Sequence, residues 1–280
     1  MVQKRRKVVN RFTAYTPPVA EPRGVQGAGE DFPPELRRLW RLVTRARTGR
    51  PAGLDVERIV AAAVELADRN GIAGVSMTKV AESLGVTAMA LYTHVGSKDQ
   101  LLALMQDRAS GLPPDPDPER GWQDGLMEWA RALRRVYIAH PWLAELPILA
   151  PPLGPHQVAW MEAALQILEP TGLDWPEKLN TVDLLAGYVL QASRKAMELA
   201  AGRRARGVDR VHDERAYGRA LGRLIDQERY PNVNALITSG LFERTTSAPS
   251  DPVDDPDFLF GLERLLDGIE VLCRRRRGEA

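Results

Sequence analysis

The sequence predicts an all-α protein with two helical domains, and three observations support this. From residue 55 onward, apolar residues recur at steps of three and four, as they do along the buried face of an amphipathic helix. Capping residues stand where these segments begin, and no segment shows a convincing strand pattern. A Pro-Asp stretch at 113–118 cannot continue a helix. It therefore separates a first compact region from a second.

Composition places the chain among folded proteins and narrows its chemistry. Of its 280 residues, 44% are hydrophobic and 27% charged, with a net charge of +1. A single cysteine, Cys273, excludes an intramolecular disulfide and fits a reducing cytoplasm. No apolar run approaches the roughly 20 residues of a membrane span, and the basic N-terminus lacks the apolar core of a signal peptide. The four histidines form no metal-binding pair, so neither a metal nor a cofactor is expected.

Basic charge is concentrated in an N-terminal arm, residues 1–50. Residues 1–53 contain 12 Lys and Arg against 4 Asp and Glu. Pro and Gly are scattered through residues 1–34, which predicts disorder, although Glu35–Arg47 could form a short basic helix. Such an arm either contacts nucleic acid, with Arg45, Arg47 and Arg50 entering a minor groove, or is a solvated tail.

A three-helix helix-turn-helix domain is predicted at residues 51–112, followed by the start of a longer fourth helix. Their capping residues are Asp55, Ser76, Thr87 and Ser97, the last in capping-box spacing with Gln100. Within the motif at residues 76–95, a helix ending at Leu84 is joined through Gly85 to a second helix, Ala88–Val95. Two short helices joined by a glycine turn can present the second to a DNA major groove. The same spacing also occurs in helical proteins that bind no DNA, so spacing alone leaves both interpretations open.

A larger helical domain is predicted at residues 119–277. The last of its helices starts with Pro256 after the capping residue Asp255, and the third is expected to stop at Gly202. A helix around residues 214–237 is expected to be interrupted near Tyr230. The predicted segments are Trp122–His140, Gln157–Leu168, Trp175–Ala201, Glu214–Ile237 and Pro256–Arg276.

Several sequence blocks resemble the tetracycline-repressor family of transcriptional regulators. The resemblance to its N-terminal domain covers about 50 residues with almost no gap. It is carried by Gly71, Val75-Ser76-Met77, Val80-Ala81, Leu84-Gly85-Val86-Thr87, Leu91-Tyr92, His94-Val95, Lys98 and Leu101. Beyond this domain, two stretches resemble the effector domain of the tetracycline-repressor branch of the family. Its first helix is resembled by Trp122-Gln123-Asp124, and its last helix by the stretch from Phe258 to Glu263.

The resemblance implies a DNA-binding surface on and around the second short helix. Thr87, Tyr92 and Lys98 match positions that contact DNA, and His94 matches a phosphate-contacting position. Ala88, Met89 and Ala90 face base edges without offering a hydrogen bond, so their contact would be apolar, for example with thymine methyls. The predicted DNA-binding residues are Ser76, Thr78, Lys79, Thr87, Ala88, Met89, Ala90, Tyr92, Thr93, His94 and Lys98, together with Arg50.

The second domain is expected to bind an effector and a second copy of the chain. Trp129 stands where the tetracycline-binding members have an Asn, so an apolar or aromatic effector other than tetracycline is expected. The candidate ligand residues are Trp129, Tyr137, His140, Trp160, Met161, Tyr188 and Gln191; plain core packing is the alternative for the aromatic and Met residues. A narrow seam steps by four and three along the last helix through Phe258, Leu262, Leu265, Ile269 and Leu272. The seam predicts burial against another helix, in a family-type dimer interface or in the core of a monomer.

These features together predict a one-component transcriptional regulator. The expected form is a ligand-released repressor, a homodimer on a palindromic double-stranded operator, acting in the cytoplasm and not at a membrane. One alternative is a constitutive DNA-binding protein without an effector. A helical enzyme is the other, and no nucleophile triad, phosphate loop or carboxylate pair supports it.

Overall fold

The computed structural model describes residues 32–41, 54–148, 151, 153–244 and 251–279. The chain divides into two units, Met1–Gly49 and Arg50–Ala280. The described residues form eleven α-helices and contain no strand, which confirms the predicted all-α class. None of the described helices is both long and apolar enough to cross a membrane.

In the first unit the described residues form one short helix, α1 (Pro34–Leu39). It is shorter than the helix predicted at Glu35–Arg47, because Arg41 adopts a φ of 55° in the left-handed region that ends a helix. It overlaps the segment in which a short basic helix is expected. Arg45, Arg47 and Arg50 lie outside the described residues.

Four helices follow: α2 (Val56–Asn70), α3 (Met77–Leu84), α4 (Ala88–Val95) and α5 (Lys98–Ser110). All four predicted caps are confirmed. The side chain of Asp55 accepts a hydrogen bond from the backbone N–H of Arg58, and the Ser76, Thr87 and Ser97 hydroxyls each accept one three residues on. Their apolar faces are buried, and α2 contacts each of the other three helices.

The larger helical region contains α6 (Trp122–Ala139), α7 (Pro155–Ile167), α8 (Trp175–Arg206), α9 (Arg210–Leu224), α10 (Pro231–Thr238) and α11 (Pro256–Arg277). A 3-10 helix at Pro141–Glu145, here called the bridging segment, follows α6 directly. The core is formed by α6, α7, α8 and α11. Helices α8 and α11 run antiparallel, since Tyr188 contacts the start of α11 and Glu177 pairs with Arg276 at its end.

Three predicted boundaries are wrong. Helix α8 continues through Gly202 and ends at Gly207, whose φ of 66° lets its N–H bond the carbonyls of Arg203 and Arg204. A glycine inside a helix costs only about 1 kcal/mol relative to alanine, which a long packed helix tolerates. The segment predicted at residues 214–237 is interrupted near Tyr230 as expected, since Pro231 starts α10, but its first helix begins earlier than predicted because Asp209 caps it. Helix α7 begins at Pro155 rather than Gln157.

Candidate nucleic-acid interface

A left-handed glycine sets the angle between α3 and α4. Gly85 has a φ of 69°, which a side chain would disfavour, and its N–H bonds the carbonyls of Ala81 and Glu82. The N–H of Val86 also donates to Ala81 O at 3.0 Å. These bonds end α3 at Leu84, and α4 begins at Ala88. The predicted helix-turn-helix is therefore present as a rigid, capped unit.

The outer face of α4 is accessible, whereas its inner face is core. Leu91 and Val95 are fully buried, but Met89 is 73% exposed and Tyr92 44% exposed. Thr93 is also exposed. Of the other predicted DNA-binding residues, Thr78, Lys79, Thr87 and Lys98 are exposed, and Ser76, Ala88, Ala90 and His94 are half-buried.

Cations on this surface are few, and two of them are unpaired. Arg69 pairs with Glu65 and Arg108 with Glu57, so their charges are compensated locally. Across the described residues, Lys79 in α3 and Lys98 in the first turn of α5 form no ion pair. A lysine in the first turn of a helix lies beside backbone N–H groups that also attract phosphate. Lys79 and Lys98 are therefore cations of this domain that no described carboxylate compensates.

The helix-turn-helix domain is joined to the larger domain by a carboxylate that the sequence did not single out. Asp68 of α2 accepts a hydrogen bond from Trp142 Nε1 and one from His140 Nδ1, both to Oδ1 at 2.7 Å. Trp142 belongs to the bridging segment and is 1% exposed. From the other side, the Arg194 guanidinium of α8 donates to the carbonyl of Ala144 in the same segment.

A second carboxylate joins α5 to α7. Asp107 is almost fully buried, and its Oδ1 accepts from the backbone N–H of His156 at 2.9 Å and of Gln157 at 3.3 Å. Its Oδ2 lies 2.8 Å from His156 Nδ1. The N-cap residue of α7 is Gly154, which has no side chain to offer these donors. Asp107 therefore caps α7 from another helix, and a Cβ at Gly154 would overlap its carboxylate.

A small cavity lies between α5, α6 and the bridging segment. Its volume is about 40 Å³, and the lining residues are Gln106, Ser110, Leu133, Val136, Tyr137 and Leu143. Burial raises the pKa of the Tyr137 phenol, partly opposed by the charge of Arg194. Because ligand pockets usually measure several hundred Å³, this cavity is closed to a drug-sized molecule in the present conformation.

Of the seven predicted ligand residues, only Tyr137 lines this cavity. Trp129 and Trp160 pack edge to face against each other, and their indole N–H groups donate to backbone carbonyls, which makes them core residues. Gln191 is exposed, and His140 binds Asp68 instead. The structure brings only Tyr137 to this cavity, and the ligand-binding role of the seven residues stays a prediction.

Two further ligand candidates lie elsewhere. Tyr188 stacks on Phe258 and donates to its carbonyl at 2.8 Å, so it holds α11 against α8. Met161 is half-buried in α7. Neither lines the cavity.

A buried cation stabilises the junction of α6 and α11. Arg134 is 3% exposed; its Nη2 donates to Asp255 at 3.3 Å, and its guanidinium lies 4.0 Å from the centre of the Phe258 ring. Desolvation lowers the pKa of Arg134, and Asp255 opposes that shift. Nε and Nη1 have no hydrogen-bond partner among the described residues. The carboxylate of Asp255 is therefore the group that makes this burial tolerable.

The apolar seam on α11 is part of the chain's own core. Phe258, Leu262 and Ile269 are buried, and Leu265 and Leu272 pack against the same cluster. Within this chain the seam packs in the helical core, and its predicted role in a dimer interface stays a prediction. The opposite, exposed side of α11 carries Phe260, which is 63% exposed, and Val271, which is 49% exposed.

Two protein-family models together match most of the chain between residues 59 and 273. The model for bacterial regulatory proteins of the tetR family matches residues 59–105, and the model for the tetracyclin repressor-like C-terminal domain matches residues 115–273.

Across the described residues no group of three or more His, Cys, Asp or Glu is placed to hold a metal ion.

Relatives and solved structures agree with these matches. The chain is 35% identical to the HTH-type transcriptional repressor DrrR1 of Streptomyces coeruleorubidus, over 91% of each chain. It is 26% identical to the class D tetracycline repressor protein of Escherichia coli, over 79% of this chain and 91% of that one. The crystal structure of ActR from Streptomyces coelicolor in complex with actinorhodin aligns with a TM-score of 0.65 at 28% identity, covering 79% of this chain and 99% of that one.

Proposed function

This chain belongs to the TetR family of bacterial transcriptional regulators, and on that premise we propose a homodimeric repressor that releases a palindromic operator when a small molecule binds. The observation that carries the proposal is the capped α3–Gly85–α4 unit, with a buried inner face and an accessible outer face. Its place of action is the cytoplasm, where the operator lies. The domain limits are 51–112 for DNA binding and 119–277 for effector binding and dimerisation.

DNA binding combines phosphate contacts with insertion of α4 into the major groove. Lys79 and Lys98 bind phosphates on either side of the groove, and His94 and Thr87 contact the backbone near them. Tyr92 extends from α4 toward the bases. The basic arm, including Arg50, adds cations that the domain itself lacks.

Dimerisation uses the outer faces of α8 and α11. Phe260 and Val271 on α11 and Leu184 on α8 are exposed apolar side chains. A Cβ at Gly187 or at Gly268 would meet no atom within 4 Å, so a partner helix can approach closely there. Two-fold pairing through this face holds the two α4 helices about 34–36 Å apart, one turn of DNA.

The effector site is the cavity beside Tyr137, in an expanded state. ActR, which this chain resembles, forms complexes with actinorhodin and with (S)-DNPA. The lining of the cavity has no charged side chain, only the Tyr137 and Ser110 hydroxyls, the Gln106 amide and apolar groups. This supports a neutral, largely apolar or aromatic effector.

The bridging segment couples the effector site to the DNA-binding domain. Leu143 lines the cavity, while its neighbour Trp142 binds Asp68 of α2. An effector that enlarges the cavity must displace Leu143 and therefore strains the Asp68 contact. Release of the operator follows if the effector binds the displaced conformation more tightly than the closed one.

Operator binding is the direct test. In an electrophoretic mobility shift with DNA from upstream of the gene, we expect a specific complex whose affinity falls with salt. Lys98→Ala should reduce the slope of log affinity against log salt by about 0.9 per lost phosphate contact, that is about 2 per dimer. Absence of any sequence-specific complex would contradict the proposal. A specific complex that no small molecule dissociates would instead support a constitutive DNA-binding protein.

The dimer is tested by sedimentation. Phe260→Arg on the outer face of α11 should convert the dimer to monomer and weaken operator binding. Leu224→Arg is a matched control, because Leu224 is 82% exposed and lies on α9 rather than on α8 or α11. A Phe260→Arg protein that still sediments as a dimer would place the interface elsewhere.

A further inference from the structure

The bridging segment is held from the effector domain by one arginine of α8. Arg194 Nε donates to Ala144 O at 2.7 Å, and Arg194 Nη2 donates to the same oxygen. No carboxylate pairs with Arg194 among the described residues, so this backbone carbonyl is the acceptor that the fold gives to a half-buried cation. Movement of the bridging segment away from α8 would remove that acceptor.

The same guanidinium lies beside the cavity proposed as the effector site. Ala144 follows Leu143, which lines the cavity together with Tyr137. Burial raises the pKa of the Tyr137 phenol, and the positive charge of Arg194 opposes that rise, so the guanidinium is close to the phenol as well. A molecule that enlarges the cavity by displacing Leu143 therefore comes next to Arg194 as Ala144 leaves it.

A second polar group at this point of α8 lacks a partner. Ser193, the residue before Arg194, is 2% exposed, and its Oγ forms no hydrogen bond among the described residues. Buried polar side chains normally have a partner, and an exception is typical of a place where a water or a ligand binds. This part of α8 therefore offers hydrogen-bond donors for which the described residues supply one acceptor, Ala144 O.

We propose that the effector carries a carbonyl oxygen, which replaces Ala144 O as the acceptor of Arg194 and so releases the bridging segment. This rests on the proposed function, because it requires an effector beside Tyr137 and an operator that the effector releases. The uncharged lining of the cavity favours a neutral acceptor, and a carbonyl oxygen replaces a backbone carbonyl like for like. A hydrocarbon of the same shape has no acceptor, so Arg194 would lose its hydrogen bonds when the segment moves.

The hydrogen bonds of Arg194 set the size of the expected effect. A hydrogen bond to a charged group contributes a factor of about 10 to 100 in an equilibrium constant. Because Arg194 is half-buried and water can partly replace a lost acceptor, we expect the lower end of this range, about tenfold. This factor is the expected difference between a carbonyl-bearing effector and a hydrocarbon of the same shape.

Matched pairs of planar aromatic molecules test this difference. Fluorenone and fluorene share a ring system, as do xanthone and xanthene, and within each pair only the first molecule has a carbonyl oxygen. The wild-type protein first selects its operator from a random duplex library, and release of the rhodamine-labelled operator by each molecule is then followed by fluorescence anisotropy. Each ketone should release the operator at about tenfold lower concentration than its hydrocarbon partner.

Substitutions assign the difference to this side chain. Arg194→Met removes the guanidinium, so the two members of a pair should become equally effective. Arg194→Lys keeps a charged donor and should retain part of the difference, whereas Lys195→Met changes an exposed neighbour on α8 and should behave like wild type. In infrared spectra, the carbonyl stretch of bound fluorenone should lie at lower frequency with the wild-type protein than with Arg194→Met, because a hydrogen bond weakens the C=O bond.

Three results would overturn the proposal. In the first, neither ketone is more effective than its hydrocarbon partner on the wild-type protein; operator binding, and with it the proposed DNA-binding function, then stands. The second is an undiminished difference in Arg194→Met, or in Arg194→Lys if urea denaturation shows that the Met variant does not fold, which would assign the carbonyl contact to another residue. Failure of the wild-type protein to select any operator would reject both this proposal and the proposed function.

Discussion

Removing the Asp68 carboxylate should loosen the bridging segment from the helix-turn-helix domain. In Asp68→Ala both short hydrogen bonds, from Trp142 Nε1 and His140 Nδ1, lose their acceptor. No other acceptor bonds either nitrogen among the described residues. The indole N–H would then lie in an almost completely buried ring without a partner.

The expected destabilisation is about 2 kcal/mol. A buried donor left unpaired costs about 1–3 kcal/mol. The bond from His140 adds less, roughly 1 kcal/mol at most, because the side chains of Asp68 and His140 are 31% and 24% exposed and water screens their interaction. Asp68→Asn keeps one acceptor oxygen and should lose about half as much.

Urea denaturation measures the global effect, and amide hydrogen exchange measures the local one. Exchange should accelerate at Leu143 and Leu146, whose N–H groups bond carbonyls within and at the ends of the bridging segment. Glu65→Ala is the matched control: it lies one turn earlier on α2 with a 70% exposed side chain and should change stability by less than about 0.5 kcal/mol. If Asp68→Ala is as stable as Glu65→Ala and exchange is unchanged, the coupling proposed for this carboxylate is refuted.

Three further substitutions test other parts of the structure. Asp255→Ala removes the carboxylate beside buried Arg134 and should cost about 3 kcal/mol in urea denaturation, whereas also replacing Arg134 with Met should recover most of it. Gly154→Ala pushes a Cβ into the carboxylate that caps α7 and should lower the free energy of unfolding by about 2 kcal/mol, visible as a lower Tm. Arg276→Gln should raise the pKa of Glu177, which hydrogen bonds from Arg276 hold below its ordinary value, as followed by carboxyl NMR. Because a depressed carboxyl pKa stabilises the fold above the ordinary value of about 4.3, wild type should lose this contribution as pH falls through the lowered pKa, and Arg276→Gln should lack it.

The local part of this fold could be predicted from the sequence because helix caps act over three or four residues. Asp55, Ser76 and Thr87 stand where the structure places N-caps, and Gly85 ends α3 as expected. Gly202 shows the limit of such signals. Packing along the whole of α8 outweighs the small free-energy cost of one glycine in its interior. The helix therefore ends at the following glycine, Gly207, which adopts a left-handed conformation.

Contacts between the two domains could not be predicted in this way. Asp68 and Trp142 are 74 residues apart in sequence, and nothing local to either indicates the other. One usable signal was present at α7. The pair Gly154-Pro155 starts a helix without a side-chain acceptor, so its free N–H groups require an acceptor from another element. Asp107 supplies it, and a search for unpartnered helix starts would have pointed to such a residue.

The seam on α11 shows why spacing alone does not identify an interface. Steps of four and three require that Phe258, Leu262 and Ile269 be buried, but they do not say whether the partner helix belongs to the same chain. Here α6 and α8 already cover that face. The proposed dimer therefore uses the other side of α11, where Phe260 and Val271 break an otherwise charged surface. In the proposed dimer, the side chains that matter are the apolar ones that the periodicity of α11 assigns to solvent.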